Sequence, residues 1–378
     1  MVAFAPSPPD DLTIPKPGST TLRAIWSMSL RKLFEDFKTL HAPPAASARA
    51  KADYRALREV LVGFLPGNPG AIANLLRRPA VSAPLRCLRD GSGDADALIA
   101  EVVAQSFFML ASVRALPGPV TVQTFPDVLI DPHRGIHLDV RGATDLTFGD
   151  GVRVDGEPRE PSRGAFHDID GDIVLCTLDN NPLREVEAHP DKQGNAVDLG
   201  GRPASEWVAS LREALAIVER TLPDFRAEID LMLQHVVPVG YDEHAHLSAS
   251  YRESLGTIYL SLHPNPLTMA EALIHEVSHN KLNALLELDP VLRNGDEARF
   301  ASPVRPDPRP LMGVLLAVHA FVPVARMLEQ LGDPKLAGRL DQVRAQNREG
   351  VAVLEAADPT PVGQGLLDEI RRWDRHFA

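Results

Sequence analysis

Two histidines and a glutamate stand close together in the second half of the chain, as His275, Glu276 and His279. This HExxH pattern is rare by chance, and it lies in residues 268–288, whose apolar residues recur at helical spacing. Residues four apart lie on one face of a helix, about 5–6 Å from each other. Two imidazoles at that spacing can bind one divalent ion, while Glu276 faces the metal-bound water or the substrate. The motif therefore predicts a metal centre on a helix.

A metal centre of this kind needs a third ligand, and His319 is our candidate. It is the only ionisable group in the near-apolar helical stretch 311–325. The alternative is that His319 is a core histidine with its hydrogen bonds satisfied inside the fold. The other residues considered as ligands are His244 and His246, spaced to share one face of a strand, and the carboxylates Glu271 and Glu297.

Two arginines, Arg305 and Arg309, lie between the two predicted helices in a segment with four prolines, residues 302–310. The prolines hold this segment extended and stiff. A guanidinium can bind a carboxylate through two hydrogen bonds, so the pair suits a dicarboxylate or a peptide C-terminus. The alternative is that either arginine pairs with a helix C-terminus or with a carboxylate of the protein.

Sequence patterns in the rest of the chain, which must position these residues, predict an α+β fold. Helical periodicity prevails over residues 19–116, and short β-branched segments between 120 and 154 indicate an antiparallel meander. Another strand is expected at 172–178, helices at 205–221 and 224–237, and strands at 246–251 and 256–263. Helices fill most of the chain from 268 onward. We therefore expect a predominantly helical protein with a small antiparallel sheet in the middle of the chain, and the metal site on a helix pair in the C-terminal half.

Three regions follow from these patterns. Residues 1–18 are rich in proline and predict a flexible lead-in. Residues 19–116 form a helical N-terminal region, and residues 117–378 form an α+β catalytic region that contains the HExxH helix. Within the last region, the polar stretch 180–202 predicts a long loop.

Composition excludes several classes of protein. The 378 residues carry a formal net charge of −12, and an acidic surface repels phosphate backbones, so we expect no nucleic-acid partner. The two cysteines form no CxxC, which excludes a disulfide framework. The near-apolar run 311–325 is shorter than the roughly 18 residues that span a bilayer, so we expect no membrane segment. Without a recognisable signal peptide, the expected location is the cytoplasm.

The sequence resembles the HExxH-motif proteins of ribosomal peptide biosynthesis, described as α-ketoglutarate-dependent HExxH peptide β-hydroxylases. The resemblance covers about the last 210 residues. The segments that carry it are residues 178–182 (LDNNP), 187–195, 275–282, 307–311 and 319–321.

That resemblance implies non-haem Fe(II) as the metal, α-ketoglutarate and O₂ as co-substrates, and hydroxylation of a side-chain β-carbon in a precursor peptide. Carried over residue by residue, His275, His279 and His319 would bind the iron. Arg305 or Arg309 would bind the distal carboxylate of α-ketoglutarate. Glu276 would act as a base or a hydrogen-bonding residue beside the ligands.

Residue chemistry alone leaves two other functions open. A zinc-dependent peptidase would show the same HExxH pattern, with Glu276 as general base to a zinc-bound water. A peptide-binding accessory protein with a structural metal would need four protein ligands. The strand 256–263 could offer an edge to an extended peptide, or it could be an ordinary buried strand.

Overall fold

Helices dominate both ends of the chain, and short strands occupy most of its middle. The residues that this computed structural model describes are 6–64, 67–186, 194–301 and 307–378. The α-helices are α1 (Thr21–Thr39), α2 (Ala48–Phe64), α3 (Pro69–Arg77), α4 (Pro79–Asp90), α5 (Ala95–Ser112), α6 (Ala204–Thr221), α7 (Pro223–Met232), α8 (Pro266–Leu286), α9 (Leu311–Leu331), α10 (Ala337–Val353) and α11 (Pro361–Phe377).

The strands form two main sheets and two small pairs. They are β1 (Val120–Val122), β2 (Val128–Asp131), β3 (Ile136–Asp139), β4 (Leu146–Phe148), β5 (Val152–Val154), β6 (Glu157–Arg159), β7 (Phe166–Asp170), β8 (Ile173–Cys176), β9 (His235–Tyr241), β10 (Ser248–Ala249), β11 (Thr257–Leu262), β12 (Arg299–Phe300) and β13 (Arg309–Pro310). The four-stranded antiparallel sheet has the order β1-β4-β5-β6, and the five-stranded mixed sheet has the order β10-β11-β9-β8-β7. The small pairs are β2-β3 and β12-β13.

The five-stranded sheet separates two hydrophobic cores, because successive side chains of a strand point to opposite faces. One face packs against α6 and α8 and contributes Leu175, Val236, Ile258 and Leu260 to what we call the C-terminal core. The other face contributes Val174, Cys176, Val237 and Tyr259 to the N-terminal core, which is built mainly from α2 to α5 and the four-stranded sheet. The N-terminal core therefore contains side chains from both sides of residue 117, and the predicted division into regions stays a prediction.

The α+β class predicted from the sequence is confirmed, but the largest sheet is not purely antiparallel. Strand β9 pairs in parallel with both β8 and β11. The predicted helix over residues 224–237 is also wrong at its end, since α7 stops at Met232 and β9 begins at His235. Strand β9 lies in the interior of the sheet, and its first four residues are buried. Such a strand reads as a continuous apolar run, which periodicity alone does not separate from a buried helix.

The predicted flexible lead-in is wrong for residues 11–14, which are held against the C-terminal core. The buried Glu369 on α11 accepts hydrogen bonds from the backbone N–H groups of Leu12, Thr13 and Ile14 at 2.8–3.2 Å. The Thr13 carbonyl accepts a further hydrogen bond from Lys281 Nζ on α8 at 3.4 Å. Satisfied backbone groups allow this extended segment to be buried, so it supports the helix that carries the HExxH motif.

Two helices, α5 and α9, are long and apolar enough to cross a membrane by length and composition. The expectation that the run beginning at residue 311 is too short is therefore wrong, because α9 extends over 21 residues. In both helices 72% of the apolar window is buried inside the fold, as is usual for core helices. The absence of a membrane partner stays a prediction.

The C-terminal end of α8 is attached to α4 by a buried cluster of charges. Arg89 donates hydrogen bonds to both carboxylate oxygens of Glu287 at 2.9 and 3.0 Å, and Arg86 Nε lies 3.7 Å from Glu287 Oε2. The side chains of Arg86 and Glu287 are 0% and 1% exposed. Burial raises the pKa of Glu287, but the hydrogen bonds from Arg89 and the charge of Arg86 outweigh it and lower this pKa to about 2. The cluster fixes where α8 ends.

We expect Glu287→Gln to lower the free energy of unfolding by about 3–5 kcal/mol at neutral pH, because it leaves the buried Arg86 without a counter-charge. The pKa of Glu287 is lower in the folded than in the unfolded chain, so its contribution is complete above about pH 4.5 and is lost as the pH falls toward 2. Urea denaturation at neutral and acidic pH measures both effects. The control is Glu355→Gln, which removes an exposed partner of Arg371 and should cost less than about 1 kcal/mol. Equal losses for the two variants would contradict the role of the cluster.

Candidate metal centre

Helix α8 carries the HExxH motif in the middle of its 21 residues. The helix begins after Asn265, whose side chain accepts a hydrogen bond from the Leu267 N–H, and Pro266 occupies its first turn. Most of its residues are buried against the five-stranded sheet and its neighbouring helices, so the backbone that holds the motif is rigidly packed. The central prediction from the sequence, two histidines four apart on one buried helix, matches the described structure.

His275 and His279 face each other across one turn of α8. Their Nε2 atoms lie 2.9 Å apart, and their rings are nearly perpendicular, with centroids 4.4 Å apart. Ligands that lie about 2.1 Å from one ion and at right angles to each other are about 3 Å apart, so this separation suits two ligands of a single ion. The ring of Phe321 on α9 packs edge-on against His275 at a centroid distance of 4.8 Å and fixes the orientation of that imidazole.

Glu276 completes the group. One ligand atom from each of His275, Glu276 and His279 lies within 4.8 Å of the others, and no other such group of three occurs among the described residues. Glu276 Oε2 and His279 Nδ1 are buried and have no hydrogen-bond partner in the described part of the chain. Buried polar atoms without partners are costly, and a bound cation with its water would satisfy them. These residues therefore fit a metal ion.

The charges of the group also suit a cation. Burial, followed by the neighbouring His279, lowers the pKa of His275 to about 4, and burial lowers the pKa of His279. Both imidazoles are neutral near pH 7, which is the form that binds metals. Burial raises the pKa of Glu276, but His279 and His275 together with Ser248 and Ser250 outweigh it and lower this pKa. The site thus offers two neutral nitrogens beside one carboxylate.

Strand β10 and the residue that follows it bring Ser248 and Ser250 beside Glu276. The strand lies at the edge of the five-stranded sheet and pairs with β11, where Ser248 opposes Leu260 and therefore points to the face that α8 covers. The interpretation of residues 256–263 as an open edge is wrong, because β11 lies between β10 and β9. The sequence did not indicate the serines, since β10 is only two residues long and shows no periodicity.

His319 lies on α9, which packs against α8, and it is completely buried. Neither of its ring nitrogens has a hydrogen-bond partner among the described residues. Burial, then the charges of Lys281 and His279, lower its pKa well below the usual value. Its nitrogens are nevertheless outside the group whose ligand atoms lie within 4.8 Å of one another. The role of His319 as third ligand stays a prediction.

The other residues considered as ligands lie elsewhere. Glu271 forms an ion pair with Arg339 at 2.6 Å, and Glu297 is exposed in a turn. The side chain of His244 is 88% exposed, and His246 lies outside the three-residue group. None of these four residues belongs to the cluster on α8.

Of the two candidate arginines, the structure describes only Arg309. Arg305 lies in residues 302–306, outside the described residues. Arg309 is in β13, directly before α9, and its Nη1 lies 3.5 Å from Asp307 Oδ2. Gly313 in the first turn of α9 leaves room for it, because a Cβ there would lie 3.2 Å from Arg309 Nε. Arg309 is 27% exposed, so part of its guanidinium is accessible to a ligand.

The LDNNP segment that contributes to the family resemblance lies on the opposite face of the five-stranded sheet from α8. Tyr259 donates a hydrogen bond to Asp179 Oδ2 at 2.7 Å, and Asn181 donates one to the Tyr259 hydroxyl at 3.0 Å. Asn180 donates hydrogen bonds to the Ala80 carbonyl and to the half-buried Glu101. These contacts attach the loop to the sheet, while residues 187–193 of the same loop, including His189, lie outside the described residues.

Comparison with known proteins adds no further evidence. No protein-family model matches this chain, and a search of curated proteins finds no match. The resemblance to the peptide β-hydroxylases therefore rests on the residues of this chain and stays a prediction.

The role of His319 can be tested by His319→Leu. We expect the affinity for Fe(II) or Co(II) to fall at least about 100-fold, because removal of a ligand should cost more than the 10–100-fold typical of residues that support ligands. The metal-free protein should keep its stability or gain some, since the substitution removes a buried polar ring without partners. Metal titration and thermal unfolding measure the two effects, with the exposed His41→Leu as control. Unchanged metal affinity would make His319 a core histidine.

Proposed function

We propose that this chain is an Fe(II)- and α-ketoglutarate-dependent enzyme that hydroxylates a side-chain β-carbon in a ribosomally made precursor peptide. The observation that carries the proposal is the pair of neutral imidazole nitrogens 2.9 Å apart on α8, with only Glu276 beside them. Such a group leaves several coordination positions for co-substrates, as a catalytic metal requires. The choice of iron and α-ketoglutarate rests on the resemblance in sequence.

In this proposal the metal is held by His275, His279 and His319, and Arg309 or Arg305 binds the distal carboxylate of α-ketoglutarate. Bound Fe(II), α-ketoglutarate and O₂ would supply the oxidising chemistry. The protein binds the metal without first releasing protons from His275 or His279, since both are neutral at physiological pH. The ionised Glu276 accepts hydrogen bonds beside the metal ligands and orients the molecules that bind at the metal.

A peptide substrate is supported by the position of β10. This strand lies at one edge of the five-stranded sheet, and its Ser248 stands beside Glu276. An edge strand can pair with an extended peptide through backbone hydrogen bonds. A peptide bound in this way would run past the HExxH residues. The cytoplasm as location and the absence of nucleic-acid and membrane partners are part of the same proposal and rest on composition.

A zinc-dependent peptidase is the second candidate, and the placement of Glu276 favours it. An ionised carboxylate beside both imidazoles stands where a general base would accept a proton from a metal-bound water. A structural metal in a peptide-binding accessory protein has less support. A structural zinc site normally has four protein ligands, and the group among the described residues has three members.

Mass spectrometry of a peptide library separates the enzymatic functions. With Fe(II), α-ketoglutarate and air, we expect some peptides to gain the mass of one oxygen atom and succinate to form in step with them. The double variant His275→Ala/His279→Ala should abolish both products. Cleaved peptides from the zinc-loaded protein, without oxygen insertion under the first conditions, would establish the peptidase instead. No product under either condition would contradict both enzymatic proposals.

The role of Arg309 gives a separate prediction. We expect Arg309→Ala to raise the KM for α-ketoglutarate at least about tenfold, since a charged hydrogen-bonding pair contributes about 1.5–3 kcal/mol. The metal affinity should not change. Arg299→Ala is the matched control, because Arg299 lies on the paired strand β12 and is exposed. An unchanged KM for Arg309→Ala would transfer the role to Arg305.

A further inference from the structure

A groove of about 840 Å³ lies at the four-stranded sheet and the C-terminal end of α5. Its volume is within the range of about 300–1,000 Å³ typical of ligand sites. Five arginines surround it, and we call it the arginine groove after Arg114, Arg134, Arg153, Arg159 and Arg163. The acidic residues that line it are Asp150 and Glu160. The groove is therefore strongly basic in a chain whose net charge is −12.

The positive charge of the five arginines is not compensated by carboxylates of the described residues. All five are exposed, and none forms an ion pair with a residue in the described ranges. Arg163 donates a hydrogen bond to the Arg134 carbonyl, and Arg153 donates one to the Gly156 carbonyl, which leaves most guanidinium N–H groups available. By contrast, Arg226 and Arg339 pair with carboxylates. Like charges that surround one groove repel each other until an anion binds.

The backbone at Arg114 adds an independent observation. This residue follows the end of α5 and has a φ of 53°, in the left-handed region that glycine adopts most easily. Its N–H donates to the Ala111 carbonyl, and the next N–H donates to the Leu110 carbonyl, so the turn ends the helix. An arginine at this position costs backbone energy that a glycine would avoid, and it places a guanidinium at the groove.

We propose that the arginine groove binds an acidic segment of a polypeptide. Two of the arginines lie on β5 and β6, and the other three lie in the turn after α5, between β2 and β3, and between β6 and β7, so they offer separate points of positive charge that suit a row of carboxylates. A long nucleic acid would extend onto the acidic remainder of the surface and be repelled. Among the described residues, the one aromatic side chain that lines the groove is Phe108, which is buried and offers no surface for stacking bases.

The groove is separate from the candidate metal centre. Its α5 and sheet residues belong to the N-terminal core, whereas α8 belongs to the C-terminal core on the other face of the five-stranded sheet. No residue lines the groove and also belongs to the group on α8. Binding to the groove therefore does not depend on the metal or on the proposed hydroxylation, and it can be measured with the full-length protein without added metal.

The experiment is fluorescence anisotropy with fluorescein-labelled decaglutamate and the full-length protein. We expect saturable binding that weakens as salt rises, and a Kd at least about tenfold higher for Arg153→Glu/Arg159→Glu. Arg153→Gln/Arg159→Gln should have an intermediate Kd, which keeps the test valid if the charge reversal disturbs folding. The matched control Arg23→Glu/Arg31→Glu changes the net charge equally at exposed positions of α1 and should bind as the unaltered protein does.

Three kinds of outcome would overturn the proposal. The first is an absence of decaglutamate binding at low salt. The second is an equal loss of affinity in the control variant, which would indicate general attraction to the protein surface. The third is tighter binding of a single-stranded deoxynucleotide decamer than of decaglutamate, or displacement of decaglutamate by equimolar inorganic phosphate. These last results would assign the groove to nucleic acid or to a small phosphate ligand.

Discussion

A buried helix that carries polar side chains is the constraint on which the rest of this structure depends. Helix α8 is surrounded by the C-terminal core, yet it contains a buried lysine and asparagine besides the HExxH residues, and the buried Glu287 directly follows it. Each of these groups needs a partner, because an isolated buried charge or amide destabilises the fold by several kcal/mol. For Asn280, Lys281 and Glu287 the surrounding elements provide these partners.

The partners come from distant parts of the chain. Asn280 accepts a hydrogen bond from the Gly256 N–H at 2.7 Å, which attaches α8 to the start of β11. Lys281 pairs with Glu228 on α7 at 2.5 Å and lies over the ring of Phe225. At the end of the helix, Arg89 holds the carboxylate of Glu287. Within the HExxH motif, by contrast, Glu276 Oε2 and His279 Nδ1 have no hydrogen-bond partner among the described residues.

Much of the fold could be predicted from local sequence patterns, and the site only in part. The helices from α8 onward and the HExxH pair follow from spacing of three and four residues, which a helix expresses locally. Strand β9 was missed because its residues are buried within the sheet and show no alternation. The position of residues 11–14 could not be predicted, because the glutamate that binds them, Glu369, lies more than 350 residues away in the chain.

The sequence by itself determined that one helix presents His275, Glu276 and His279 on adjoining positions, because helical geometry acts between near neighbours. Only the tertiary structure decided which groups are near them: Ser248 and Ser250 at β10 and, on the neighbouring helix α9, the ring of Phe321 and the buried His319. It alone also gathered five arginines from separate elements into one groove of an acidic protein. Contacts of this kind depend on the packing of distant segments, so the spacing of neighbouring residues in the sequence does not predict them.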